Sequence, residues 1–288
     1  MKRFLQVFGL AITATVVTSC TDPNPELVYN LNANPDNAII GPRIVTHIDS
    51  AGIRNIDFVS HEGIVNEIVA GNDGNGNFKR KFEFEYNNEN KLLGYKYFAN
   101  GVLGYRDVSL IYHNTNPNKL IGATELIYPT VPGITPVTQT DITYGYNSYN
   151  RMTEILKKSK SYGGSAYENY VKTTIYYSGD NVSKMIEEHG YFSGGFMQAP
   201  FMTTQYTYTQ FDTKFSATST LPQVLSLAMA AYDLSYLTYG NTNNWGKFQV
   251  TGPTGAFTYE RTYTYDSQNY VKTENSNNYK YFYEALQP

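Results

Sequence analysis

Apolar and polar side chains alternate along most of the chain. In Lys81-Phe82-Glu83-Phe84-Glu85-Tyr86 the aromatics fall on one side and the charges on the other. Ile142-Thr143-Tyr144-Gly145-Tyr146, Tyr206-Thr207-Tyr208 and Tyr263-Thr264-Tyr265 repeat the pattern, and Tyr279, Tyr281 and Tyr283 share a face. Period two over several residues marks a strand with one buried face. The strands stop at similar turns. The chain reads FEFEYNNENKLLGY from 82, ITYGYNSYNRMTEI from 142, TIYYSGDNVSKMIE from 174 and RTYTYDSQNYVKTE from 261, with a looser copy, SLIYHNTNPNKLIG, from 109. Each is an aromatic strand, a turn of Asn, Asp, Ser or Gly, and an aliphatic residue opening the next strand. Those turn residues tolerate the left-handed backbone of a tight hairpin. The expected fold is all-β: repeated antiparallel hairpins forming one strongly curved sheet or half-barrel.

Residues 221–234, LPQVLSLAMAAYDL, break the pattern. Apolar residues at 221, 224, 225, 228 and 232 have helical spacing. Thr220 is placed as the N-cap, with Gln223 completing a capping box and Pro222 in the first turn. A one-sided sheet must cover its apolar face, so the helix is expected on the concave side. Lying on an outer loop is the alternative.

Composition agrees with strands. There are 28 tyrosines, and aromatics make up 15%; tyrosine suits half-exposed sheet faces. Net charge is −3 with no basic patch, so nucleic acid is not an expected partner. One cysteine allows no internal disulfide, which leaves stability to packing.

That cysteine, Cys20, has a specific setting. Lys2 and Arg3 precede an apolar run over 4–17, then Thr18, Ser19 and Cys20. The order is that of a secretory signal, and the run is short for a membrane span of about 20 residues. Val17-Thr18-Ser19-Cys20 resembles the bacterial lipobox, which implies lipidation of Cys20 and a membrane as partner. Two or more acyl chains hold stably where one does not. Thr21, where Asp would mark retention at the inner membrane, implies the outer membrane. Residues 1–19 are thus a signal peptide, 20–43 a lipidated N-terminus and tether, and 44–288 one β-rich domain. The tether is rich in Pro, Asn and Asp. At roughly 3.3 Å per residue it could extend to roughly 70 Å, unless residues 27–31 or 38–40 dock as an edge strand.

The motif Tyr-Asn/Asp-x-x-Asn-Lys/Arg-Leu/Met resembles the YD-repeat type of hairpin. Over roughly residues 80–288 the chain is similar to the uncharacterised β-rich lipoproteins of Bacteroidota described as DUF4595-like. Phe211-Asp212-Thr213-Lys214-Phe215, Leu221-Pro222 and Asn243-Asn244 stand where that group has corresponding segments, without its Asn-Pro before the Phe. The resemblance implies no activity.

No catalytic or cofactor motif emerges. An EF-hand loop beginning at Asp73 would need Gly at 78 and an acid at 84, where Phe78 and Phe84 stand. His47, His61, His113 and His189 make neither HExxH nor a close pair. Gly163-Gly164-Ser165-Ala166-Tyr167 lacks the last glycine of a nucleophile elbow. Two loops, SYGGSAYENY from 161 and GYFSGGFMQAPF from 190, and Trp245 beyond them, offer aromatics that could stack on sugars; equally, they could belong to the adjoining strands. Tyr162, Tyr191 and Trp245 are the candidate glycan contacts. Asp49-Ser50-Ala51 fits a short O-glycan acceptor pattern at Ser50. The expected function is a non-enzymatic envelope binding or scaffold module for a polysaccharide or envelope protein, with glycan binding as the alternative.

Overall fold

The alternating stretches become strands. The computed structural model describes residues 28–30, 43–61, 64–71, 80–99, 105–129, 135–230, 234–275 and 278–287. First come β1 (Val28–Asn30), β2 (Arg43–Ser50), β3 (Ile53–His61), β4 (Ile64–Ala70), β5 (Arg80–Tyr86), β6 (Leu92–Ala99) and β7 (Tyr105–His113). Then follow β8 (Asn116–Tyr128), β9 (Thr138–Tyr146), β10 (Met152–Ser161), β11 (Asn169–Ser178), β12 (Asn181–Ser193), β13 (Phe196–Met197) and β14 (Met202–Phe215). The last are β15 (Asn243–Gly252), β16 (Gly255–Glu260), β17 (Tyr263–Tyr265), β18 (Val271–Glu274) and β19 (Tyr279–Gln287). Eighteen of them form one antiparallel sheet that does not close, and β13 folds back on the end of β12. From β2 to β12 each strand pairs with the next in sequence, so the sheet is a meander of hairpins. β19 returns to pair with β2, and its other edge carries β18 and β1. Part of the expected tether, Val28–Asn30, is therefore an edge strand against Ala285–Gln287. Cys20 lies outside the described residues.

The sequence motif has a repeated chemistry. In the β9–β10 turn, Asn147 Oδ1 accepts from the N–H groups of Tyr149 and Arg151, each at 3.0 Å. Asn147 N–H donates to Arg151 O, and Asn150 sits at φ 60°. Asn87 with Asn90 builds the same turn between β5 and β6, and Asp266 with Asn269 builds it between β17 and β18. The oxygen of the first residue ties down two backbone donors, and the later Asn supplies the positive φ.

The tyrosine before each turn binds the hairpin before it. Tyr86, Tyr112, Tyr146 and Tyr177 donate their hydroxyls to the carbonyls of Val65, Leu92, Leu120 and Met152, at 2.7, 2.7, 2.5 and 2.8 Å. In each case the acceptor lies on the strand preceding the tyrosine's own. Tyr86, Tyr112, Tyr146 and Tyr177 also oppose Leu92, Leu120, Met152 and Val182 in the ladders. Register and hydroxyl bonds thus alternate along a belt at the rim carrying the short turns. The ladder slips beside most of these tyrosines, and the hydroxyls supply a donor where the regular ladder is interrupted. Lys91, Lys119 and Arg151, which precede the aliphatic residue of each motif, lie 3.9, 4.6 and 5.5 Å from the ring centroids of Tyr112, Tyr146 and Tyr177.

The insertion over 216–242 enters at this rim and fills the concave face. Its helix α1 (Gln223–Met229) has Leu225, Ala228 and Met229 fully buried. Thr220 Oγ1 accepts from Val45 N–H of β2 at 3.0 Å, and Tyr95 of β6 donates to Ala228 O at 3.2 Å. Tyr236 packs edge-on against Phe82 of β5, and Asn241 Oδ1 accepts from Val182 N–H of β12 at 2.7 Å. In a flat sheet β2 and β12 would stand roughly 48 Å apart at about 4.8 Å per strand. A seven-residue helix is about 10 Å long. The sheet therefore wraps around the insertion, which acts as its plug.

The helix is shorter than the sequence suggests. It runs from Gln223 to Met229 rather than over 221–234, and Leu234–Gly240 form a 3-10 helix. Thr220 is not its cap. Its hydroxyl donates to Ala217 O at 2.9 Å while accepting from Val45, so a tertiary partner has taken the capping atom. Pro222 occupies the N-cap position without a side-chain bond.

The convex face carries ion pairs beside exposed apolar residues such as Val59, Leu93 and Ile111. Lys81 pairs with Glu83 and Glu67, Lys96 with Glu85, and Lys172 with Glu154. No described helix is long and apolar enough to cross a membrane.

Candidate functional site

The two ends of the sheet come together without closing at a seam spanned by β16 and β17, joined through Arg261 and Thr262. Residues 255–261 run beside β15, and Arg261 N–H donates to Gly246 O at 2.8 Å. From Thr262 the chain continues as β17 beside β18, with Asn275 N–H donating to Thr262 O at 2.8 Å. The chain thus changes partners between Arg261 and Thr262. Towards the long-loop rim β18 ends at the Asn275 turn while β16 continues, and the wedge left beside β16 opens into the concave face.

Side chains lock the narrow end of the wedge. Asn244 donates to Asp212 from N at 3.2 Å and from Nδ2 at 3.1 Å, and the Tyr265 hydroxyl donates to the same carboxylate. Tyr263 donates to Trp245 O at 2.9 Å. Asn181 and Asn243 exchange two bonds of 3.0 Å at the foot of the insertion. Asp212, Asn243 and Asn244, which the sequence motif brings to notice, therefore hold the seam and the plug.

The wide end is a cleft of about 440 Å³. Phe248, Phe257 and Tyr259 form one wall and Tyr279 and Ile56 face them, with Asn243 among the polar groups. Arg261 lies at its base. Its guanidinium sits 3.9 Å from the Trp245 ring and 3.1 Å from the Glu274 carboxylate, which also accepts from Tyr281 Oη at 2.6 Å. Glu274 is almost wholly buried. Burial alone would lower the Arg261 pKa, but Glu274 and the neighbouring tyrosines outweigh it and the value rises. Burial, followed by Glu274, pushes the Tyr281 hydroxyl far up. The base of the cleft is a fixed ion pair on an aromatic floor, and the walls are aromatic with polar edges. Such a cleft can stack and hydrogen-bond a ligand.

The three candidate glycan contacts are not brought together. Trp245 lines the cleft but is 9% exposed, covered by Arg261 and flanked by Tyr208 and Phe248. Tyr162 and Tyr191 stand at the long-loop rim, on β10–β11 and β12 respectively, and are 47% and 53% exposed. Tyr191 stacks on Phe201 at 4.5 Å. In the same loops, Tyr170 is buried and donates to Gln198 O. Ser50 ends β2, half-buried, just before the exposed Ala51 of the β2–β3 turn.

His47 stacks on Phe282 at 4.0 Å, His113 is bonded to Thr115 in a turn, and His189 bonds Glu187 at 2.8 Å. Among the described residues no three His, Cys, Asp or Glu side chains gather to hold a metal. Residues 72–79, most of the glycine-rich loop, lie outside the described residues. Sequence reading missed Phe257, Tyr259 and the Arg261–Glu274 pair. The signal available was the second alternating stretch, GAFTYE, directly before RTYTY.

No protein-family model and no curated protein matches the chain. Among solved structures, the chain is similar to a porin-like protein from Bacteroides vulgatus ATCC 8482. Identity is 8% over 85% of this chain and 99% of that one, with a TM-score of 0.43. A porin-like protein from Bacteroides uniformis ATCC 8492 is 14% identical over 84% and 96% of the two chains, with a TM-score of 0.33. Both scores lie below 0.5, so neither likeness bears on function. The fold and site define a class: an open, curved, all-β meander with a helical plug and a cleft at its seam.

Proposed function

We propose that the chain is a lipid-anchored module of the cell envelope that binds its ligand non-catalytically in the cleft at the seam. The observation that carries this reading is the cleft itself. It sets Phe248, Phe257, Tyr259 and Tyr279 around polar groups above a fixed Arg261–Glu274 pair. Lipidation at Cys20 and the outer membrane as address come from the lipobox-like sequence. Arg43 opens β2 at the short-turn rim, so an anchored chain presents its long-loop rim and cleft mouth away from the bilayer. Isothermal titration with polysaccharide fragments and candidate envelope proteins tests the binding role. Heat that disappears in Phe257→Ala and Tyr279→Ala supports the cleft; heat unchanged in both removes it. Fatty-acid labelling that is the same in wild type and Cys20→Ala removes the anchor.

Glycan binding on the loops is a second reading, favoured by the exposed Tyr191–Phe201 stack and by Tyr162. It requires titrations that depend on Tyr162 and Tyr191, with Trp245 acting from the cleft floor. Modification of Ser50 is tested by mass on Ser50→Ala.

A further inference from the structure

β16 is paired along one edge only. The Arg261–Gly246 bond fixes its phase. In an antiparallel ladder alternate residues direct their backbone groups to opposite sides. Gly255, Phe257, Tyr259 and Arg261 thus address β15, and Ala256, Thr258 and Glu260 address the other side. Thr262 continues that second series and does have a partner, since it accepts from Asn275 N–H and donates to Asn275 Oδ1 at 3.3 Å. At Asn275 the chain leaves β18 and turns towards β19. No described backbone group stands opposite Ala256, Thr258 or Glu260.

Proteins usually guard such an edge with lysine, proline, a bulge or a covering loop. GAFTYE contains no lysine or proline, and its register with β15 has no slip. Five of its six residues are exposed, and Phe257 is 60% exposed. The edge is also continuous with the cleft, because Phe257 and Tyr259 line it.

We propose that the free edge of β16 docks an extended polypeptide segment of another protein, added as a strand in line with β18. Resting on the binding-module reading, this gives the ligand a chemistry. Unpaired N–H and C=O groups at every second residue are complementary to another extended backbone. Residues of the guest on the inward side enter the cleft beside Phe257 and Tyr259, so they are apolar or aromatic. Those on the outward side lie near Ala256, Thr258 and Glu260, whose carboxylate already has Lys247 of β15 at 3.8 Å, so they are small or polar. A second copy fits less well. Antiparallel pairing of β16 with itself inverts one molecule and sends the two Arg43 ends in opposite directions, away from a shared membrane.

The test is selection of random twelve-residue peptides displayed on phage against the whole protein, followed by titration of the synthesised winners. The expected winners alternate apolar and polar residues. Their Kd rises at least tenfold on Thr258→Pro, which removes an outward N–H, and on N-methylation of alternate peptide amides. Circular dichroism checks that Thr258→Pro is folded, and Phe257→Ala supplies a second variant that should also weaken binding. Winners that bind Thr258→Pro unchanged, or that tolerate methylation at every amide, overturn the proposal. So does a failure to enrich any peptide. A concentration-dependent dimer lost in Thr258→Pro assigns the edge to a second copy and overturns it too. If peptides fail while polysaccharide fragments still titrate into the cleft, this proposal falls and the binding module stands.

Discussion

Tyr112 donates its hydroxyl to the carbonyl of Leu92 at 2.7 Å, and Lys91, one residue before that acceptor, lies 3.9 Å from the Tyr112 ring centroid. One tyrosine thereby fastens two features of the preceding hairpin. Tyr112→Phe removes the donor and leaves a carbonyl at a buried residue without it. We expect a loss of about 1–2 kcal/mol. Lys91→Ala should cost less, about 0.5–1 kcal/mol. Urea midpoints of the single and double variants check this, and the two losses should nearly add, because Tyr112→Phe keeps the ring that Lys91 faces.

The turns predict a substitution series. Asn147→Ala frees two backbone donors and should cost about 1–2 kcal/mol. Asn147→Asp should be close to neutral, since Asp266 makes the same bonds in its own turn. Asn150, at φ 60°, should tolerate Gly and resist Val. Thermal denaturation of the four variants decides it, and equal losses for Ala and Asp at position 147 would sink the capping role.

Leu225 is fully buried in the plug. Leu225→Ala should cost about 2–5 kcal/mol, and Leu225→Asp should abolish the cooperative transition. An unchanged melting temperature in Leu225→Asp would mean that the helix does not fill the sheet.

At Gly94 an added Cβ would run into the backbone carbonyl of Val108 on β7. Backbone cannot rotate away as a side-chain end can. Gly94→Ala is therefore expected to cost about 1–3 kcal/mol, read as a lower urea midpoint with the circular dichroism spectrum retained.

His47 supplies a pH dependence. Burial, and then Arg54, lowers its pKa to about 4, while Asp49 opposes them. The unfolded chain takes up this proton near pH 6.5 and the folded chain only near 4. Stability from this group is complete above about 6.5 and declines as pH falls towards 4. Asp57, opposite His47 in the ladder, has its own pKa raised, chiefly by burial, so the comparison must be against His47→Gln. Between pH 7.5 and 5 the wild type should lose more of its urea midpoint than the variant. Equal losses would remove His47 as the cause.

The strands and turns were legible because their causes are local. Alternation marks the buried face of β5 or β9 within six residues, and Asn147 bonds donors two and four residues away. What was not legible depends on register between distant residues. Tyr146 meets Leu120 only after two strands have paired, and Trp245 reads as an exposed platform until Arg261 is placed over it. Thr220 has the composition of a cap, but Val45, far away in sequence, claims its oxygen. Val28–Asn30 falls within residues 27–31, the stretch the sequence offered as an alternative edge strand inside the tether, but nothing local names β19 as its partner.

The pairing of β2 with β19 sets an order in time. Hairpins from β3 to β12 join neighbours in sequence and can form early, with Tyr86, Tyr112, Tyr146 and Tyr177 each fastening the strand before its own. β2 has its β3 neighbour at once, but its other neighbour, β19, lies far along the chain. Contacts so far apart in sequence form slowly. Until residues 279–287 pair with it, that edge of β2 is left waiting, open to pairing with other chains. A variant truncated just before Tyr279 would carry almost every hairpin and still lack the strand that covers β2.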